Sequence, residues 1–182
     1  MRPVVTVVLA CAVLAGPTLT ATSASAATPP PARTLAAVSA IAAGDFEQQV
    51  LDLVNKARAK KRKCGATTYK AKKALVWDET LGSVAESHSA DMAKRGFFNH
   101  TNPSGLDPFE RMKKAGYSYR SAGENIAAGY DTPETVVKAW LKSKGHCKNI
   151  MSAKFTELGI GYVEDEDSDW GYYWTQDFGK PA

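Results

Sequence analysis

The chain has 182 residues, 23 basic against 19 acidic, a formal net charge of +4, and 44% hydrophobic content. That composition fits one globular domain with a real core and is too short for two ordinary domains behind a leader. No nucleic-acid recognition motif accompanies the basic residues, so no nucleic-acid partner is expected.

Arg2, the apolar stretch from Val4 to Ala15 and the small residues Ala24-Ser25-Ala26 read as a secretory signal peptide over residues 1–26. Cys11 would suit a lipid-modified cysteine only if a polar tether followed it, and apolar residues follow instead. Residues 27–44, with Pro29-Pro30-Pro31 and a run of small residues, predict a flexible linker, and residues 45–182 the folded domain. No second long apolar run occurs, so no transmembrane anchor is expected and the protein should be secreted and extracellular.

Phe46, Val50, Leu53, Val54 and Ala57 fall at helical spacing after Asp45 and predict a first helix that fades into Lys60 to Lys63. From Lys56 to Lys73 nine basic residues run with no acid between Asp52 and Asp78. Such a run suits a solvated helix end, or a contact with an anionic cell-wall polymer or lipid headgroups. Leu81, Val84, Ala85, His88 and Met92 predict a second helix ended by Gly96, with His88 on its apolar stripe as a core residue. Asp107-Pro108-Phe109-Glu110 opens a short helix to about Ala115. Asp131-Thr132-Pro133-Glu134 opens another that stops near Gly145, and a further turn from about His146 places His146, Asn149 and Ile150 on one side.

The last third changes period. Phe155 to Val163 and Gly171 to Phe178 predict an antiparallel pair, split by the acidic turn from Glu164 to Asp169, and Gly123 to Ala128 a third strand. Asp165, Asp167 and Asp169 do not make a calcium loop, because Trp170 stands where that loop needs glycine and Gln176 where it needs glutamate. The whole is an α+β layered domain. Once Cys11 leaves with the signal, Cys64 and Cys147 remain in an exported chain and predict one disulfide; two buried thiols, or a Cys147 nucleophile beside His146, are the alternatives.

Two glycine- and proline-punctuated segments carry chemistry: Phe97-Phe98-Asn99-His100 with Thr101-Asn102-Pro103, and Ser143-Lys144-Gly145-His146 with Asn149-Ile150. Gly123-Glu124-Asn125 stands between them. On a strand Glu124 shares a face with Ile126 and Ala128, so its carboxylate needs partners. His146 near a helix start should stay neutral, the form that binds metal. His100, His146 and Glu124 would together suit zinc or another divalent cation with an open position; a metal-free hydrogen-bonded cluster is the alternative. No His-Glu-x-x-His helix, Gly-x-Ser-x-Gly elbow or phosphate loop occurs.

These segments, with Trp140, Gly159-Ile160-Gly161-Tyr162 and Trp174-Thr175-Gln176-Asp177-Phe178-Gly179, resemble the CAP superfamily of cysteine-rich secretory, antigen 5 and pathogenesis-related proteins. The resemblance spans Phe46 to Gly179 and is strongest to the bacterial SCP-like branch. It implies an α-β-α sandwich with a small central antiparallel sheet and a cleft of two histidines and two acids. His100, Glu124 and His146 match three of these, supported by Asn125, Ser143 and Asn149. Lys142 or Ser143 stands where the second acid belongs. The resemblance further implies a module binding a metal or a small ligand, lipids included. The alternative is a zinc-assisted hydrolase of peptide or cell-wall material with Glu124 as general base.

Overall fold

The computed structural model describes the backbone of residues 35–182 and the side chains of residues 44–182. The expected signal peptide and linker residues 27–34 lie outside the described residues.

Helix α1 (Leu35–Arg58) starts ahead of the position expected near Asp45, so residues 35–44 of the expected linker have helical backbone. The segment is rich in alanine, the best helix former, and its small side chains resemble spacer composition only when propensity is left aside. The helix does not fade into the lysine run. The chain instead turns through a hairpin of β1 (Arg62–Cys64) and β2 (Thr67–Tyr69) around Gly65, whose φ of +60° suits glycine. Arg58 leaves the basic run altogether: it is buried, and its guanidinium donates to the carbonyls of Lys73, Ile150 and Ser152 at 2.9, 2.6 and 2.9 Å.

After β3 (Val76–Trp77) comes α2 (Glu79–Arg95), capped by Asp78, which accepts from the Leu81 N–H, and closed by Gly96 in the left-handed region. Helix α3 (Pro108–Lys114) opens with a complete capping box of Asp107 and Glu110. Strand β4 (Tyr119–Ala128) leads to α4 (Pro133–Lys142), whose N-cap is Thr132, and then to α5 (Lys144–Ile150). Strands β5 (Glu157–Glu164) and β6 (Tyr172–Pro181) complete the chain.

The sheet order is β3-β5-β6-β4, antiparallel throughout its three long strands. The two-residue β3 runs parallel to β5, an addition too short to leave a periodic signal. Strand alternation assigns the layers. Leu158, Ile160, Trp174 and Phe178 face a core shared with Val50 and Val54 of α1, Trp140 of α4 and Ile150 of α5. The opposite face carries α2, which lies so close to β5 that a Cβ on Gly159 or Gly161 would stand 2.1 Å from backbone atoms of the helix. The result is the α-β-α sandwich. Cys64 and Cys147 form the disulfide, with 5.6 Å between their Cα atoms, and it ties β1 to α5.

Candidate functional site

The expected site residues gather at β4, the edge strand of the sheet. Glu124 and Ile126 face the α2 side, where Ile126 packs with Met92, while Asn125 faces α5. The pleat therefore sends alternate residues of one strand to two sides of the same edge.

From the α2 side comes the loop carrying His100. Asn99 and Asn102 fold it locally: their side-chain oxygens accept backbone N–H bonds from Thr101, and from Ser104 and Leu106. Beneath it His88, 1% exposed, donates its Nε2–H to the Asn99 carbonyl at 3.0 Å. His88 is a core residue that supports the site.

Glu124 is buried and paired at both oxygens. Oε1 lies 2.6 Å from His100 Nδ1, and Oε2 accepts from Arg111 Nη2 at 2.5 Å. Arg111, on α3, also donates through Nη1 to the carbonyls of His100 and Leu106 at 2.7 and 3.0 Å. One guanidinium thus fixes the loop and balances the carboxylate. Sequence reasoning missed Arg111. The only signal was an arginine just inside a capped helix, and its partner lies 13 residues away on another element.

Asp177 falls within a motif that carries the family resemblance, yet no site role was expected of it. It stands opposite Glu124 in the β4–β6 register and is fully buried. Burial first, and then the Glu124 charge, hold its carboxyl well above the ordinary range. Arg111 and His100 both pair with Glu124, whereas Asp177 has no ion-pair partner among the described residues. The second acid expected after Trp140 is absent: Ser143 stands there beside His146, and Lys142 is exposed. The second carboxyl beside Glu124 is that of Asp177 on β6, which is buried beneath the sheet edge rather than lining the cavity beside His146.

His146 comes from the other face. Asn125 donates to its carbonyl at 3.3 Å and to Gln176 Oε1 at 2.9 Å, and Asn149 donates to the Glu124 carbonyl at 3.2 Å and to Asn125 Oδ1 at 2.9 Å. This amide chain seats α5 against β4. His146 favours the neutral form chiefly through burial, reinforced by the nearby charge of His100, rather than through the helix dipole. Beside it opens a cavity of about 320 Å³, lined by Phe98, Ile126, Ala128, Trp140, Ser143, His146 and Trp170 among others.

Both oxygens of Glu124 are engaged, by His100 and by Arg111, and no group of three His, Cys, Asp or Glu among the described residues is arranged to hold an ion. Glu124 orients His100 through Nδ1 and leaves Nε2 available, as carboxylates commonly do for an imidazole that binds metal through its other nitrogen.

Burial lowers the pKa of both His88 and His146 from the ordinary 6.5. Their native forms bind fewer protons than the unfolded chain, so the stability they contribute is present above 6.5 and lost as pH falls through their native values. In an NMR titration both imidazoles should show midpoints below 6.5. A midpoint at or above that value for either would contradict its assigned environment.

A model described as the cysteine-rich secretory protein family, CAP, matches residues 51–178. Among curated proteins, the chain is similar to "Uncharacterized protein YkwD" of Bacillus subtilis, 44% identical over 145 residues that cover 80% of this chain and 50% of that protein. It is also similar to "Uncharacterized membrane protein YlbC" of the same organism, 33% identical over 134 residues, covering 74% of this chain and 34% of that one. The chain thus spans half or less of the length of these two relatives. Among solved structures, an extracellular protein containing an SCP domain from Bacillus anthracis superposes with a TM-score of 0.62 at 30% identity, covering 75% of this chain and 41% of its own. An outer surface protein of Borrelia burgdorferi shares the fold, with a TM-score of 0.58 at 22% identity, covering 74% of this chain and 89% of its own.

Proposed function

This chain belongs to the cysteine-rich secretory protein (CAP) family, in its bacterial SCP-like branch, and from that premise we propose that it is a secreted, extracellular binding module. Its cleft at the edge of β4 takes a small ligand with an apolar portion, lipids included. The carrying observation is that one cavity joins apolar walls, Phe98, Ile126 and Trp170, to the polar end formed by Ser143 and His146. That is the usual make-up of a small-molecule site. His100 and His146 would hold a divalent ion such as zinc at the polar end, where it would polarise a ligand oxygen. Glu124 would keep the His100 ring in the orientation that presents Nε2.

The hydrolase alternative asks Glu124 to take a proton from water. Both of its oxygens are already committed to His100 and Arg111, which favours the binding reading. The exposed lysines at the end of α1 and along the hairpin, Lys60, Lys61, Lys63 and Lys70 among them, form the face proposed to meet an anionic cell-wall polymer.

Titration with Zn²⁺, followed by calorimetry, should give one equivalent bound by the wild type and an affinity at least about tenfold lower in His100→Ala and in His146→Ala. Equal binding in all three would overturn the metal site. Titration with anilinonaphthalene sulfonate should give fluorescence enhancement that Trp170→Ala abolishes. Enhancement unchanged by that substitution would overturn the apolar cleft.

A further inference from the structure

At the other edge of the sheet the short β3 pairs only as far as Leu158, so among the described residues the rest of β5 lacks a strand neighbour on that side. Glu86 of α2 reaches this edge and accepts the free Tyr162 N–H at 2.9 Å. Glu47 of α1 arrives nearby. It is 8% exposed, and its Oε2 has no hydrogen-bond partner among the described residues. Burial, with a smaller contribution from the Glu86 charge, pushes the Glu47 carboxyl up to about 7.

Both glutamates line a cavity of about 530 Å³ together with Glu79, Ser83 and the Trp77 indole. The cavity is separate from the histidine cleft, which lies at the β4 edge. No cation of the chain pairs with any of the three carboxylates within 4.0 Å among the described residues, so the negative charge has no internal partner. A buried carboxylate without a partner is costly, and a ligand that supplies the missing donor recovers that cost. Trp77 adds an aromatic face of the kind that attracts organic cations. Among the described residues the same glutamates form no group arranged to hold a metal ion.

We infer that this cavity is a second binding site, for a primary ammonium or guanidinium group, with Glu47 as its buried anchor, Glu86 and Glu79 as the acidic rim and Trp77 as the aromatic wall. The site accepts an extended, monovalent organic cation rather than a divalent ion, since its glutamates form no metal-holding group among the described residues. Its natural occupant is either a free amine or a basic side chain of another protein.

The test is a titration of the uniformly ¹⁵N-labelled chain with n-butylammonium and with n-butylguanidinium, read at the Trp77 indole N–H. A saturable shift is expected with at least one of them, and Glu47→Gln should raise its dissociation constant at least about tenfold. Glu47→Gln keeps the side-chain shape and removes the buried ionisable carboxyl, so it should fold. Glu86→Gln, which keeps the acceptor for Tyr162, should weaken binding in the same direction. A lysine-containing tripeptide that binds no more weakly than n-butylammonium would identify a basic side chain as an occupant, and one that fails to bind would identify a free amine. Unchanged affinity in both variants, no saturable response to either cation, or a saturable response to Ca²⁺ in their place would overturn the inference.

Discussion

Arg111→Met should destabilise the protein by about 3–5 kcal/mol in urea unfolding at pH 7, the loss typical when one partner of a buried ion pair is removed. Glu124 is almost wholly buried, and the residue opposite it, Asp177, is another acid that cannot balance its charge. Without the guanidinium the carboxylate would keep only His100, whose side chain is 49% exposed. The loop would lose two further anchors, the bonds to the His100 and Leu106 carbonyls. The change is therefore local in sequence and broad in effect. Glu124→Gln alone should cost less, and adding it to Arg111→Met should restore part of the loss, with a coupling of about 1–3 kcal/mol between the two sites. An Arg111→Met variant within about 1 kcal/mol of the wild type would show that the pair contributes little to the fold.

Replacing Cys64 and Cys147 together by alanine should cost about 4–5 kcal/mol, because the bridge closes a loop of 83 residues and the chain-entropy model assigns stabilisation of that order to such a loop. Both cysteines sit in the main core, so the double variant also loses sulfur packing there. The consequence for the site is specific. The bridge holds the α5 segment that carries His146 to β1, and its loss should lower hydrogen-exchange protection in α5 more than in β6, which is buried between β5 and β4. A double variant that unfolds at the same urea concentration as the wild type would contradict this, as would free thiols at both positions in the unreduced protein.

The parts of the site that were legible in the sequence were those set by local rules. Gly96 ended α2, Asp107 with Glu110 opened α3, and an acidic turn between two β-rich runs delivered the β5–β6 pair. His100 and His146 were visible because imidazoles on punctuated loops have few structural reasons to be there. Two short strand features escaped notice for the opposite reason: β3 is only two residues long, and the β1–β2 hairpin reads as a helix tail because lysine fits either state.

The sequence by itself determined the longer helices and strands, the family pattern and the expectation that Cys64 pairs with Cys147, which the structure bears out. Each follows from near-neighbour preferences, ordered motifs or a count that leaves one partner. Only the tertiary structure decided what Glu124 does. Its partners Arg111 and Asp177 lie on α3 and β6, and they meet it because the β4–β6 register and the packing of the 100–111 segment bring them there. Register and helix docking come from the burial of a whole face at once, and no short window of residues carries that information. The same packing drew Arg58 out of the lysine run and left Glu47 Oε2 buried without a hydrogen-bond partner among the described residues. Charge seen along the chain was therefore a poor guide to charge in the fold.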